Sequence, residues 1–408
     1  LALDIDFVRS QFPAFASPVL STHAFFENAG GSYPCAQVVD RLTRFYRDRK
    51  VQPYGPYPGA QAGGAEMDEA RDRLAAMMGV QREEVSFGPS TSANTYVLAQ
   101  AVRKWLAGTD GAVVVTDQDH EANSGVWRRL ADDGIEVREW QINRETGSLD
   151  PERLAALLAD GRVRLVCFPH CSNVIAEIND VAALCAMAKA AGARSVVDGV
   201  SYAPHGFPDV AGLGCDVYLF SAYKTYGPHQ GIMVIRQDFG FQLPGQGHFF
   251  NHATLYKRHT PAGPDHAQIA ACAGMADYID AVAARHGVTG DAAARNRGVH
   301  DLMRAQEVAV IQPLLDYLGG RNDLRLLGPR DAARRAPTVA VELDRAAEPV
   351  SEELGRNGIA CWAGDFYAVR PLEALGIDRE KGVLRMSAVH YTSAEEVARL
   401  IVALDRVL

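Results

Sequence analysis

Between residues 112 and 235 the chain repeats one pattern: a short apolar run, then a longer amphipathic stretch. The runs are "AVVVT" (112–116), "VRLVCF" (163–168), "SVVD" (195–198), "VYLF" (217–220) and "GIMVI" (231–235). They are short, rich in β-branched residues and nearly continuous in hydrophobicity, as in strands of a parallel sheet covered on both faces. The stretches between them, "HEANSGVWRRLADDG", "DPERLAALLADG" and "DVAALCAMAKAAGA", read as helices, with Pro151 suited to a first helical turn. Strands alternating with helices predict an open α/β sheet. Such sheets bind ligands beyond the carboxyl ends of their strands, where Asp198 and the segment "SAYK" (221–224) fall.

At 408 residues the chain exceeds one simple core, so two domains are expected. Residues 239–264, rich in Gly, His and aromatics, read as an extended crossing segment. Long helices are predicted over 265–286 and 295–318, then strands at "TVAVEL" and "VLRMSAV" and a closing helix "SAEEVARLIVALDRVL". The expected division is a large α/β domain over 15–260 and a smaller C-terminal α+β domain made of 265–408 together with residues 1–14.

A formal net charge of −9 argues against nucleic-acid and anionic-membrane partners, which favour basic patches. There is no apolar run of about 18 residues, and the opening "LALDIDFVRSQFPAF" does not read as a signal peptide. The seven cysteines are scattered without CxxC spacing, so a reduced, cytoplasmic protein without a metal site is expected. "GAQAGG" (59–64) lacks the GxGxxG spacing and the preceding strand of a dinucleotide site.

A carboxylate at one strand end, Asp198, and an amine past the next, Lys224, can face one cleft. Pyridoxal phosphate needs both: an amine for its aldehyde and an acid for its ring nitrogen. Its phosphate needs hydroxyls and N–H groups at a helix N-terminus. "GPSTSANTYVLAQAV" (88–102) offers Ser90, Thr91 and Ser92 there; alone, that stretch also fits a plain N-cap.

With these residues in place, the chain resembles the class V aminotransferases, and within them the cysteine-desulfurase-like enzymes of fold type I, from "FFENAGGSYP" (25–34) to "VLRMSAVHYTSAEEV" (383–397). The resemblance implies the aspartate-aminotransferase-like fold, pyridoxal 5'-phosphate as cofactor, a small amino-acid substrate and a homodimer. It implies that His120 in "DHEAN" stacks on the cofactor ring, that Asn173 in "CSNVIAEI" contacts it, and that Asp198 in "VVDGVSYAPHGFPDV" holds its nitrogen protonated. In "FSAYKTYGPHQG" it implies Lys224 as the amine and Ser221 on the phosphate, beside Thr91 and Ser92. Ser201 and Tyr223 stand where the family often has Gln and His, so they too are expected at the cofactor. Arg385 in "LRMS" is implied to hold the substrate carboxylate, with Asn28 and Tyr367 beside the substrate.

The departures bear on the reaction. Tyr367, in "IACWAGDFYA" (359–368), aligns with the desulfurases' persulfide-forming cysteine, and a phenol cannot form a persulfide. Cys361 reads as a small buried hydrophobe. The phosphate segment given by a neighbouring subunit is only loosely matched by "AGPDH" (262–266). The segments "SAYK", "YAPH" and "FENAGG" resemble those of a subgroup lacking the catalytic cysteine. The expected reaction is β-elimination of a thiolate from cysteine or a cysteine conjugate, with Lys224 as base. An epimerase, with Tyr367 as second acid, or an aminotransferase are alternatives, and a non-catalytic cofactor-binding module is a third.

Overall fold

The computed structural model describes residues 2–408. Its main element is a seven-stranded sheet, in spatial order Val85–Gly88, Gly231–Ile235, Val217–Ser221, Arg194–Asp198, Val163–Pro169, Ala112–Thr116 and Glu136–Trp140. All five runs predicted as strands are in it. Gly231–Ile235 runs antiparallel to both neighbours, whereas the other pairings are parallel. Its reversal has a simple cause. Only residues 222–230 link it to Val217–Ser221, and a parallel crossover needs about a dozen residues or more.

Two strands of this sheet are absent from the sequence-based expectation. Glu136–Trp140 is an edge strand in which only Trp140 is fully buried, and its "EVREW" shows no apolar run. Val85–Gly88 is four residues long and lies at the other edge. Helices flank the sheet and start as their sequences dictate. Asp150 and Asp180 cap Pro151–Leu158 and Val181–Ala190 by accepting backbone N–H bonds. The final helix, Ala394–Val407, opens on a capping box between Ser393 and Glu396.

The second sheet orders Trp362–Gly364, Val383–Ser387, Thr338–Leu343 and Leu324–Leu326, all antiparallel. Its core, with Leu314, Val341, Leu384 and Leu400, is separate from that of the large sheet. The helices His266–Ala271 and Ala273–Arg285 pack elsewhere than the 265–408 division implies. Their Ile269, Met275 and Ile279 join the large sheet's core, as do Leu3, Val8 and Phe12 of the 1–14 segment expected with the small domain; Leu1 lies outside the described residues. Gly274 permits the close approach, since a Cβ there would meet the backbone N of Val38 at 2.6 Å. The 239–264 segment is not simply extended but holds short helical turns, Phe249–Asn251 and Leu255–Arg258 among them.

No helix among the described residues is long and apolar enough to cross a membrane.

Candidate active site

The parallel strands deliver their last residues to one end of the sheet. Asp198 is the final residue of Arg194–Asp198, and Ser221 that of Val217–Ser221. Lys224 follows in the turn Ala222–Lys224. His120 lies after Ala112–Thr116, and Asn173 after Val163–Pro169. Opposite them stands the N-terminus of the helix Thr91–Leu106.

Nine of the residues singled out from the sequence line one cavity here: Thr91, Ser92, His120, Asn173, Asp198, Ser201, Ser221, Tyr223 and Lys224. The Thr91 and Ser221 hydroxyls are 2.7 Å apart. Ser90 does what a plain N-cap does, accepting from the Ala93 N–H at 3.1 Å, which leaves the Thr91 and Ser92 side chains to the cavity. The Tyr223 ring stacks on His229, centroids 4.8 Å apart and nearly coplanar at 7°.

Burial dominates the electrostatics. It raises the Asp198 carboxyl to about 6, against the opposing pull of the Val200 N–H and the Lys224 charge. It lowers the Lys224 amine to about 8, reinforced by the positive charge of Arg385. His120 is brought to about 4 by burial, then by Lys224 and Arg385. The His120 Nδ1 accepts from the Ala122 N–H at 3.1 Å, which fixes the neutral ring with its proton on Nε2. The amide Oδ1 of Asn173 is buried without a partner, while its Nδ2 donates to the Phe366 carbonyl at 2.9 Å.

Three expected residues behave differently. Arg385, on the smaller sheet, is not part of the cavity wall; it reaches the Asn173 carbonyl at 3.4 Å and is already paired, its Nη2 donating to Glu27 Oε1 at 2.8 Å. Asn28, expected beside the substrate, is committed to the fold. Its Nδ2 donates to the Ser387 and Phe25 carbonyls, and its oxygen accepts from the Tyr391 hydroxyl. Tyr367, expected to line the substrate pocket, is 71% exposed and is not part of the cavity wall. Phe366 and Tyr367 both adopt left-handed backbone, φ 53° and 54°. That turn sends Tyr367 outward, its ring 5.5 Å from that of His120, and sets Phe366 against the Arg385 guanidinium at 3.7 Å.

Glu27 and Phe366 were not marked from the sequence. Each is the immediate neighbour of a residue that was, and only the pairing of distant segments distinguishes them. Every cysteine is free, and all but Cys361 are buried. Cys361 lies outside the cavity wall, its thiol pushed up to about 12 by burial and then by Glu27. Cys171 lines the cavity, but burial pushes its thiol far above the ordinary range.

A family model described as aminotransferase class-V matches residues 24–400. An aminotransferase-like protein of Gibberella zeae is 31% identical over 420 residues, covering 100% of this chain and 99% of that one. A cysteine desulfurase of Pectobacterium atrosepticum is 29% identical, with 100% and 98% covered. Among solved structures, the apo cysteine desulfurase of Thermococcus onnurineus matches with a TM-score of 0.84 at 22% identity, covering 100% of this chain and 98% of that one.

Proposed function

The chain belongs to the aminotransferase class-V family, whose enzymes depend on pyridoxal phosphate, and from that premise we propose that it cleaves the Cβ–S bond of cysteine or a cysteine conjugate by β-elimination. The residues present fit the cofactor. A buried carboxyl, a buried amine, a flat neutral imidazole and a hydroxyl pair at a helix N-terminus share one cavity, and the Asn173 oxygen there lacks a partner. In this reading Lys224 would hold the cofactor's aldehyde carbon and Asp198 its ring nitrogen. His120 would cover the ring face, with Asn173, Ser201 and Tyr223 around it, and Thr91, Ser92 and Ser221 would hold the phosphate. When bound, pyridoxal phosphate supplies the electron sink that carbanion chemistry at Cα requires.

The protein's own groups do the rest. Once the substrate amine has taken its place at the aldehyde carbon, the freed Lys224 amine, held near 8, is a base matched to neutral pH, and it takes the Cα proton. Arg385 orients the substrate through its carboxylate. The electron pair from the Cα–H bond forms the Cα–Cβ double bond as the Cβ–S pair leaves with the thiolate. The released aminoacrylate takes up one water and yields pyruvate and ammonium.

The single observation that carries this reading is where the thiols lie. Cys171, the one cysteine on the cavity wall, is buried, and Cys361 lies outside that wall, whereas sulfur transfer to protein needs an accessible thiolate beside the substrate. The epimerase alternative needs an acid opposite Lys224, and the exposure of Tyr367 counts against it. The exposed aromatic pair Phe249 and Phe250 supports assembly as a homodimer.

The test is incubation of the holoenzyme with L-cysteine and S-alkyl cysteines, assaying pyruvate, thiol, alanine and substrate chirality. Pyruvate and thiol in equal amounts are expected. Alanine with a persulfide on the protein, or racemised substrate without pyruvate, overturns the reading.

A further inference from the structure

Arg385 is an arginine buried almost completely, its side chain 4% exposed. A buried cation without a counter-charge is strongly destabilising. In this chain the counter-charge is Glu27, bonded at 2.8 Å from the guanidinium Nη2. The rest of the guanidinium is poorly satisfied. Nη1 makes only a 3.4 Å bond to the Asn173 carbonyl, Nε has no partner, and the Phe366 ring covers one face. Glu27 Oε2 is likewise buried without a donor. The pair is a resting arrangement with open hydrogen-bonding positions on both members.

Room for it comes from Gly30. A Cβ at that position would meet Glu27 Oε1 at 2.5 Å, so the carboxylate folds back over a residue that has no side chain.

We infer that Glu27 is a specificity-determining residue: an internal carboxylate that occupies the Arg385 clamp and that a substrate carboxylate must displace or share. The inference rests on the reading of Arg385 as the substrate-carboxylate group. Both routes lead to the same sign. If Glu27 moves away, the incoming carboxylate loses the free energy of the existing pair. If Glu27 stays, one guanidinium holds two anions in a desolvated site, and they repel. Either way Glu27 lowers affinity for a carboxylate and leaves affinity for a neutral isostere unchanged, so it narrows the preference for α-carboxylate substrates over their amides.

Propionate and propionamide are the probes, since neither carries an amine that can react at the cofactor. Their binding to the holoenzyme is measured by calorimetry. Glu27→Gln keeps size and a hydrogen-bond acceptor but removes the charge. It should tighten propionate by about tenfold, the scale of one charge-assisted hydrogen bond, and leave propionamide unchanged. Gly30→Ala keeps the charge but pushes the carboxylate aside, and it should shift propionate in the same direction. If Glu27→Gln does not fold, Gly30→Ala decides alone. Propionate binding no tighter in either variant overturns the inference. Arg385→Ala separates the two layers. It should abolish propionate binding in every background, and if it does not, the carboxylate role of Arg385 falls and the inference with it.

Discussion

The Thr91 and Ser221 hydroxyls meet at 2.7 Å, joining the first residue of a helix to the last residue of a strand that lies 130 positions later in the chain. Neither residue is special in isolation. Together they put two hydroxyls and the backbone N–H groups of a helix start at one point, which suits a phosphate. Replacing Ser221 with Ala, or Thr91 with Val, should weaken pyridoxal-phosphate retention by about tenfold, the loss of one hydrogen bond to a charged group. Equilibrium dialysis of the cofactor measures this. Inorganic phosphate should also protect the cofactor-free wild type against heat more than it protects either variant.

Asp198 links folding stability to pH in the cofactor-free protein. Burial raises its carboxyl to about 6. Between about pH 4 and pH 6 the folded protein therefore holds a proton that the unfolded chain has released, and stability falls as pH rises through that window. Asp198→Asn removes the effect. The cofactor-free variant should match wild type near pH 4 and exceed it above pH 6, by up to about 3 kcal/mol for a shift of about two units. Denaturant melts at the two pH values test this; equal stabilities above pH 6 would sink it. With cofactor and substrate the same variant should lose turnover by at least about a hundredfold, since a neutral amide cannot hold the ring proton.

Lys224 should titrate well below an ordinary lysine. Burial and the Arg385 charge bring its amine to about 8. Competitive acetylation of the cofactor-free protein across pH 6–11, read peptide by peptide, should give a midpoint near 8 at Lys224 and near 10 at surface lysines. Removing the neighbouring charge with Arg385→Met should move the Lys224 midpoint upward. A midpoint at Lys224 indistinguishable from surface lysines would contradict the electrostatics of the cavity.

Turnover should not depend on Cys361, and no persulfide should form. Its thiol is held near 12 and lies outside the cavity wall, so Cys361→Ala should keep turnover within about twofold; substitutions that remove no functional contact usually have small effects. Tyr367→Phe should also be near neutral, because the exposed ring lies outside the cavity. Thiol-trapping mass spectrometry after incubation with L-cysteine checks the first point, and steady-state kinetics checks both. A persulfide on Cys361, or loss of activity in Cys361→Ala, would restore a desulfurase mechanism.

Much of this protein is legible in its sequence because the relevant physics is local. A run such as "AVVVT" can be buried on both faces only as a strand, and all five such runs are in the large sheet. Strands that run in parallel deliver their ends to one place, so Asp198, Ser221 and Lys224 converge because of the alternation itself. What is not local was not legible. The edge strand Glu136–Trp140 looks polar because all of its residues but Trp140 stay partly or fully exposed. The helices His266–Ala271 and Ala273–Arg285 join the large core because Gly274 admits a backbone that lies over two hundred positions away.

The same division runs through the site. The order and chemistry of His120, Asn173, Asp198 and Lys224 are properties of the chain, and the cavity they line follows from the sheet they sit on. The partner of Arg385, the inward turn of Phe366 and the outward turn of Tyr367 belong to the tertiary structure alone. Each depends on a contact between segments hundreds of residues apart or on two successive left-handed residues. A charge pattern along the chain cannot say which carboxylate reaches a buried guanidinium, because that is decided by desolvation and by the space left over Gly30 once the two sheets have met.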